Sequence, residues 1–120
     1  LDDPLARLVD VMIVSRVGET FHALADPTRR AMLDRLAQGD LRTGDLLAGF
    51  AISDAAAAKH LAVLESAGLV RRQREGKCRR CTLNADPLVE AGLWLRRWNA
   101  LASPTAARTA ALIDRAATLA

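Results

Sequence analysis

The residues that could do chemistry crowd into one segment of the chain. From Lys59 to Arg80 there are seven Lys or Arg against Glu65 and Glu75. Residues 1–58 carry six Arg against nine acids, and residues 81–120 carry four Arg against three, so the overall +3 hides an asymmetry. A focused basic cluster suits a polyanion partner, although charge alone is equally compatible with a solvated face. Cys78 and Cys81 have ligand-like spacing, but one such pair is weak evidence for metal. On a regular strand residues three apart face opposite sides. Cys81 should therefore turn inward with Leu83, and Cys78 outward with Arg80. The arginines beside Cys78 keep a thiol switch among the hypotheses. His22 and His60 have no evident carboxylate partner in the sequence. There is no Gly-rich phosphate loop and no nucleophile elbow, so an enzyme is not expected. No cofactor or metal ligand set is expected either.

The elements that must position these groups fit one globular domain of 120 residues, 51% hydrophobic. No apolar run approaches the roughly 20 residues that span a bilayer, and no signal-peptide pattern is seen. Two cysteines do not suggest a stapled secreted domain, so a cytoplasmic location and no membrane partner are expected. Aromatics make up 3% of the chain and Tyr is absent. That weighs against single-strand binders that stack bases on aromatic rings.

Helical spacing of Leu5, Leu8, Val9, Met12 and Ile13 predicts a first helix that needs a partner. Residues 18–25 read as a separate short helix with Phe21, Leu24 and Ala25 on one side. Asp26 caps a third, Pro27 opens it, Ala31, Met32, Leu33 and Leu36 form its buried stripe, and Gly39 stops it. Residues 43–49 read as a short helix around Leu46 and Leu47. Ser53 caps a helix over 54–67, Asp54 stabilises its first turn, and Gly68 ends it. Two charged strands within 69–83 turn at Gly76 as an exposed hairpin. A helix restarts at Asp86 and Pro87 and is apolar on more than one face, which a surface helix is not. Trp94 and Trp98, one turn apart, suit core or dimer interface better than a ligand box. Ser103 and Pro104 open a last, Ala-rich helix with Leu112, Ile113, Ala116 and Leu119 as its seam.

Helix 43–49, a tight connection and helix 54–67 make a helix-turn-helix, followed at once by a basic ribbon. "ALADPTRRAMLDRLAQGD", "AKHLAVLESAGLV" and "RRQREGKCRRCTLNADPL" together resemble the ArsR family of winged-helix transcriptional repressors, over roughly residues 20–98. The resemblance implies a mainly α fold with a small β-hairpin and a homodimer on pseudo-palindromic operator DNA. It implies dimerisation segments at 1–17 and 86–120 around a winged helix-turn-helix core at 18–85, all within one domain. Many members of the family release DNA on binding a metal. The family's familiar metal sites lack their ligands here: 43–49 has no Cys or His, and 86–98 has Asp86 and Glu90 but no His. The effector is left open.

Within 54–67, Ala57, Leu61, Leu64 and Gly68 share the inward face, with Ala55, Ala56, Lys59 and Val63 opposite and His60 and Ala62 flanking. Similar proteins commonly carry Pro at the position of Ala55 and Ser at that of Ala58. Alanine can offer only close approach and contact with thymine methyls. Discrimination should then lean on Lys59, Ser53, His60 and DNA shape. Expected DNA contacts are Thr43, Ser53, Ala55, Ala56, Lys59, His60, Arg71, Arg72, Arg74, Lys77 and Arg79, with Arg80 adding to the field. Expected dimer contacts are Leu5, Leu8, Val9, Met12, Leu93, Trp94, Trp98 and Leu112. The bare alanine face also admits a protein–protein assembly module, and Cys78 and Cys81 admit a thiol- or metal-responsive sensor.

Overall fold

The computed structural model describes residues 3–102 and 104–119, without the side chains at 9–11, 13–14 and 118–119. The roles expected of Val9, Ile13, Ser103 and Leu119 lie outside the described residues. The order is α1 (Pro4–Leu24), α2 (Pro27–Ala37), β1 (Leu41–Arg42), α3 (Thr43–Leu47), α4 (Asp54–Ser66), β2 (Val70–Glu75), β3 (Cys78–Leu83), α5 (Asp86–Asn99) and α6 (Pro104–Leu119). None of the described helices is long and apolar enough to cross a membrane.

Three expectations change. The two helices expected before residue 26 are one, α1, running through the boundary expected at 17/18. A glycine inside a helix costs only about 1 kcal/mol, and tertiary packing outweighs it at Gly18. The buried side of this stretch is Val17, Thr20 and Ala23, with Phe21 and Leu24 half-buried and Ala25 exposed. The hairpin is also part of a three-stranded antiparallel sheet, order β1-β3-β2, with Leu41 opposite Cys81 and Arg42 opposite Arg80. A strand of two residues has no periodicity to read in sequence. Finally, α3 stops at Leu47, and Gly49 at φ +84° starts the turn into α4.

The core lies where α2, α3, α4 and the sheet meet. Ala23, Met32, Leu33, Leu36, Leu46, Ala57, Leu61, Leu64, Leu69, Val70 and Cys81 form one buried cluster. Asp26 caps α2 by accepting from the backbone N–H groups of Thr28 and Arg29 at 2.8 and 3.1 Å. Gly68, at φ +77°, lets the chain leave α4 while Leu69 N–H donates to Leu64 O. That reversal delivers Leu69 and Val70 to the core and starts the wing.

Leu64 is fully buried at the centre of this cluster. Leu64→Ala is expected to lower the unfolding free energy by about 2–5 kcal/mol, read from urea denaturation. A loss under about 0.5 kcal/mol, the size of a surface substitution, would contradict its place in the core.

Candidate nucleic-acid interface

Packing sets the outward face of α4. Ser53 Oγ accepts from Ala56 N–H at 3.1 Å and fixes where the helix starts. Ala57, Leu61 and Leu64 are buried against the core. A helix with these three inside must present Asp54, Ala55, Ala58, Lys59 and Ala62 to solvent, and all five are exposed. Ala56 is half-buried at the edge of this face. Val63, expected on the outward face, packs against the core instead. Asp54 sits in the first turn, where the helix dipole favours its charge.

His60 is held by groups that are remote in sequence. Arg29 is buried and donates from Nε to Ala23 O at 2.7 Å and from Nη2 to His22 O at 2.9 Å. Its Nη1 lies 3.1 Å from His60 Nδ1. A guanidinium can only donate, so Nδ1 accepts and the ring proton belongs on Nε2. The Asp26 carboxylate stands 3.8 Å from the same nitrogen. His60 therefore has the carboxylate neighbour that its sequence context did not show. Arg29 and Asp26 tie the end of α1 and the start of α2 to the middle of α4. Neither was singled out as a site residue from sequence, where Asp26 read only as a cap.

The wing is fastened in three places. Arg72 Nε donates to Glu65 Oε1 at 2.7 Å, and its Nη2 pairs with the same oxygen. This bond joins β2 to the last turn of α4. Arg80 Nε donates to Glu75 Oε2 at 2.5 Å across the hairpin. The hydrogen bond and charge of Arg80 hold the Glu75 carboxyl below its ordinary range. Thr43 Oγ1 donates to Arg79 O at 3.3 Å, joining the start of α3 to β3. Arg72, Arg80 and Thr43 thus have structural partners. Arg71, Arg74, Lys77 and Arg79 are exposed and make no ion pair among the described residues. Arg74 and Arg79 are directly opposite across the strands, beside the turn at Gly76, φ +62°. Cross-strand partners in register leave the sheet on the same face, so these two cations share one side of the ribbon.

Cys78 is exposed and Cys81 buried, as strand alternation requires. Cys81 Sγ lies 3.5 Å from Thr43 Oγ1, inside the core rim. The two thiols cannot chelate one ion from opposite faces of a strand. Among the described residues no three His, Cys, Asp or Glu side chains come together as a metal site.

A short helix, a turn, a second helix with a polar-poor exposed face and a basic hairpin beside it define a winged helix-turn-helix of the DNA-binding kind. Residues 24–73 match the helix-turn-helix domain family. Over 79 residues the chain is 34% identical to the transcriptional repressor SdpR of Bacillus subtilis strain 168, covering 66% of this chain and 88% of that one. The solved structure of an ArsR family transcriptional regulator, RHA00566, is similar with a TM-score of 0.67 at 33% identity, over 72% of this chain and 90% of that one. The homodimeric winged helix-turn-helix DNA-binding domain Mb0332 of Mycobacterium bovis, a possible ArsR-family regulator, gives 0.56 at 32% identity, over 78% and 82%. The chain belongs to the ArsR family of winged helix-turn-helix transcriptional regulators.

Partial burial raises the pKa of Asp26, but the backbone N–H groups of Arg29 and Thr28 and the positive charge beside it outweigh this and hold the carboxyl below its ordinary value. A lowered carboxylate pKa stabilises the fold above the unfolded value, and that stability is lost as pH falls through the folded value. Asp26→Asn keeps the cap but removes this charge. Its melting temperature is expected to fall less than the parent's as pH drops below about 4. Parallel curves would show that the Asp26–Arg29–His60 contacts carry no such coupling.

Proposed function

We propose that the protein is a homodimeric, sequence-specific DNA-binding repressor acting in the cytoplasm. In this reading α4 of each protomer enters successive major grooves of a pseudo-palindromic operator, with the wing on backbone or minor groove. The observation that carries the reading is the set of exposed cations that make no ion pair among the described residues: Lys59 on α4, and Arg71, Arg74, Lys77 and Arg79 on the wing. Glu65 and Glu75 pair with Arg72 and Arg80, and the remaining cations of the wing stay exposed.

The roles then divide. Ala55, Ala56 and Ala58 allow close approach to the groove floor and favour thymine methyls. Lys59 is the base-reading side chain, and the Nε2–H of His60 donates to a flanking phosphate. Ser53, whose hydroxyl oxygen caps α4, can still donate its proton to the backbone. Thr43 positions Arg79 by holding its carbonyl. The wing supplies affinity, and Lys59 with DNA shape supplies discrimination. The exposed apolar residues Leu5, Leu8 and Met12 on α1, Leu93 and Trp98 on α5 and Leu112 on α6 mark the dimer face.

Fluorescence anisotropy on promoter fragments at two salt concentrations tests this. Arg79→Ala is expected to weaken binding to all duplexes alike and to reduce the slope of log K against log salt by about one contact. Lys59→Ala is expected to reduce the preference for one fragment by about 1–3 kcal/mol. Weak binding, equal for every duplex and unmoved by Lys59→Ala, would favour an assembly module instead.

A further inference from the structure

Arg35 of α2 closes the connection between α3 and α4 from outside both helices. Its Nη1 donates to Leu46 O at 3.0 Å and to Ala48 O at 2.5 Å. The same guanidinium lies over the Phe50 ring, with Cζ 4.1 Å from the ring centroid. Arg35 is half-buried and makes no ion pair among the described residues. Its hydrogen bonds go to main-chain oxygens, not to a carboxylate. Carbonyls at the end of a helix lack intrahelical donors, and a basic side chain can supply them. Here that side chain comes from a neighbouring helix.

The connection has little else to hold it. Of residues 48–52 only Phe50 is not exposed. Gly49 bends the chain at φ +84°, a region that side chains disfavour. Phe50 packs against the core and is the apolar anchor of this stretch, and Arg35 lies on it. The chain then reaches Ser53, which caps α4. Burial of Ala57, Leu61 and Leu64 sets the rotation of α4. Ala57 is already a turn into the helix, so the placement of the first turn depends on the connection. α2 therefore holds this unit at two points. Arg29 reaches His60 in the middle of α4, and Arg35 reaches the entrance to α4.

We infer that Arg35 is a positioning residue for DNA recognition: by holding Leu46 O, Ala48 O and the Phe50 ring together, it fixes where the first turn of α4 is presented. The inference rests on the DNA-binding reading proposed above and adds a residue that lies outside the groove-facing set. The arrangement suits arginine. Two hydrogens of one planar nitrogen reach two carbonyls while the delocalised cation covers an aromatic ring. A lysine ammonium keeps the charge and can bond a carbonyl, but it has no planar group to lay on the ring. Methionine keeps an apolar stem and no donor.

Arg35→Met and Arg35→Lys test the role at a temperature where circular dichroism shows each variant folded. In anisotropy on the preferred promoter fragment, Arg35→Met is expected to bind about tenfold more weakly, the size of one lost base contact. Arg35→Lys is expected to fall between it and the parent. The slope of log K against log salt stays unchanged, because no phosphate contact is lost. Amide hydrogen exchange is expected to accelerate across 48–53 and to keep the parent's rate at Met32 and Leu36 in α2. A residue that only adds stability lowers the melting temperature and moves neither readout in the folded variant. Should Arg35→Met fail to fold, Arg35→Lys and Phe50→Leu carry the same measurements; the second keeps an apolar anchor and removes the aromatic face. Parent-like affinity in the folded variants overturns the positioning role and leaves the DNA-binding reading standing. A salt slope reduced by about one contact makes Arg35 a phosphate ligand and overturns it as well. A parent that binds every duplex weakly and alike overturns both readings.

Discussion

Burial of Ala57, Leu61 and Leu64 is the constraint on which the functional surface depends. These three residues rotate α4 into one orientation against the core it shares with α2 and β2. A helix has one free face once its packed face is chosen, so Lys59 and the alanines are outward by geometry. Each buried leucine contributes about 1.5–3 kcal/mol by transfer alone, more than any exposed ion pair on the wing supplies. Apolar packing therefore sets the frame, and electrostatics acts within it. Arg29 tightens that frame by joining the carbonyls at the end of α1 to His60 on α4.

On the wing, some charges are paired and others are left exposed. Glu65 and Glu75 each take one arginine, and these two pairs secure β2 to α4 and β2 to β3. Exposed pairs of this kind are individually worth little. Their effect here is geometric, since they hold the two strands and leave the remaining cations around the Gly76 turn. α4 has the opposite economy: Ala55 and Ala58 on its exposed first turns bring no hydrogen-bonding side-chain groups. In the DNA-binding mode proposed above, such a surface takes affinity from the backbone and only a little information from bases.

α1 and α5 pack through Phe21 and Trp94, and Trp94 in turn contacts Trp98 at 5.6 Å. Beyond that contact the surface is apolar, with Leu101, Leu112 and Ile113 more than 60% exposed. A monomer gains nothing from such a surface.

Much of this was legible in the sequence. The caps at Asp26 and Ser53, the stop at Gly68, the turn at Gly76, the inward residues of α4 and the opposite facing of Cys78 and Cys81 follow from local rules, because each depends on neighbours within a few positions. The continuity of α1 through Gly18 was not legible, since packing along its length outweighed a weak local preference. Neither was β1, which exists only because β3 lies beside it. The sequence determined which residues are basic and which helix they follow. Only the tertiary structure decided which of them stay free, because Glu65 reaches Arg72 and Arg29 reaches His60 through space, and no spacing rule connects positions that the fold alone brings within a hydrogen bond of each other.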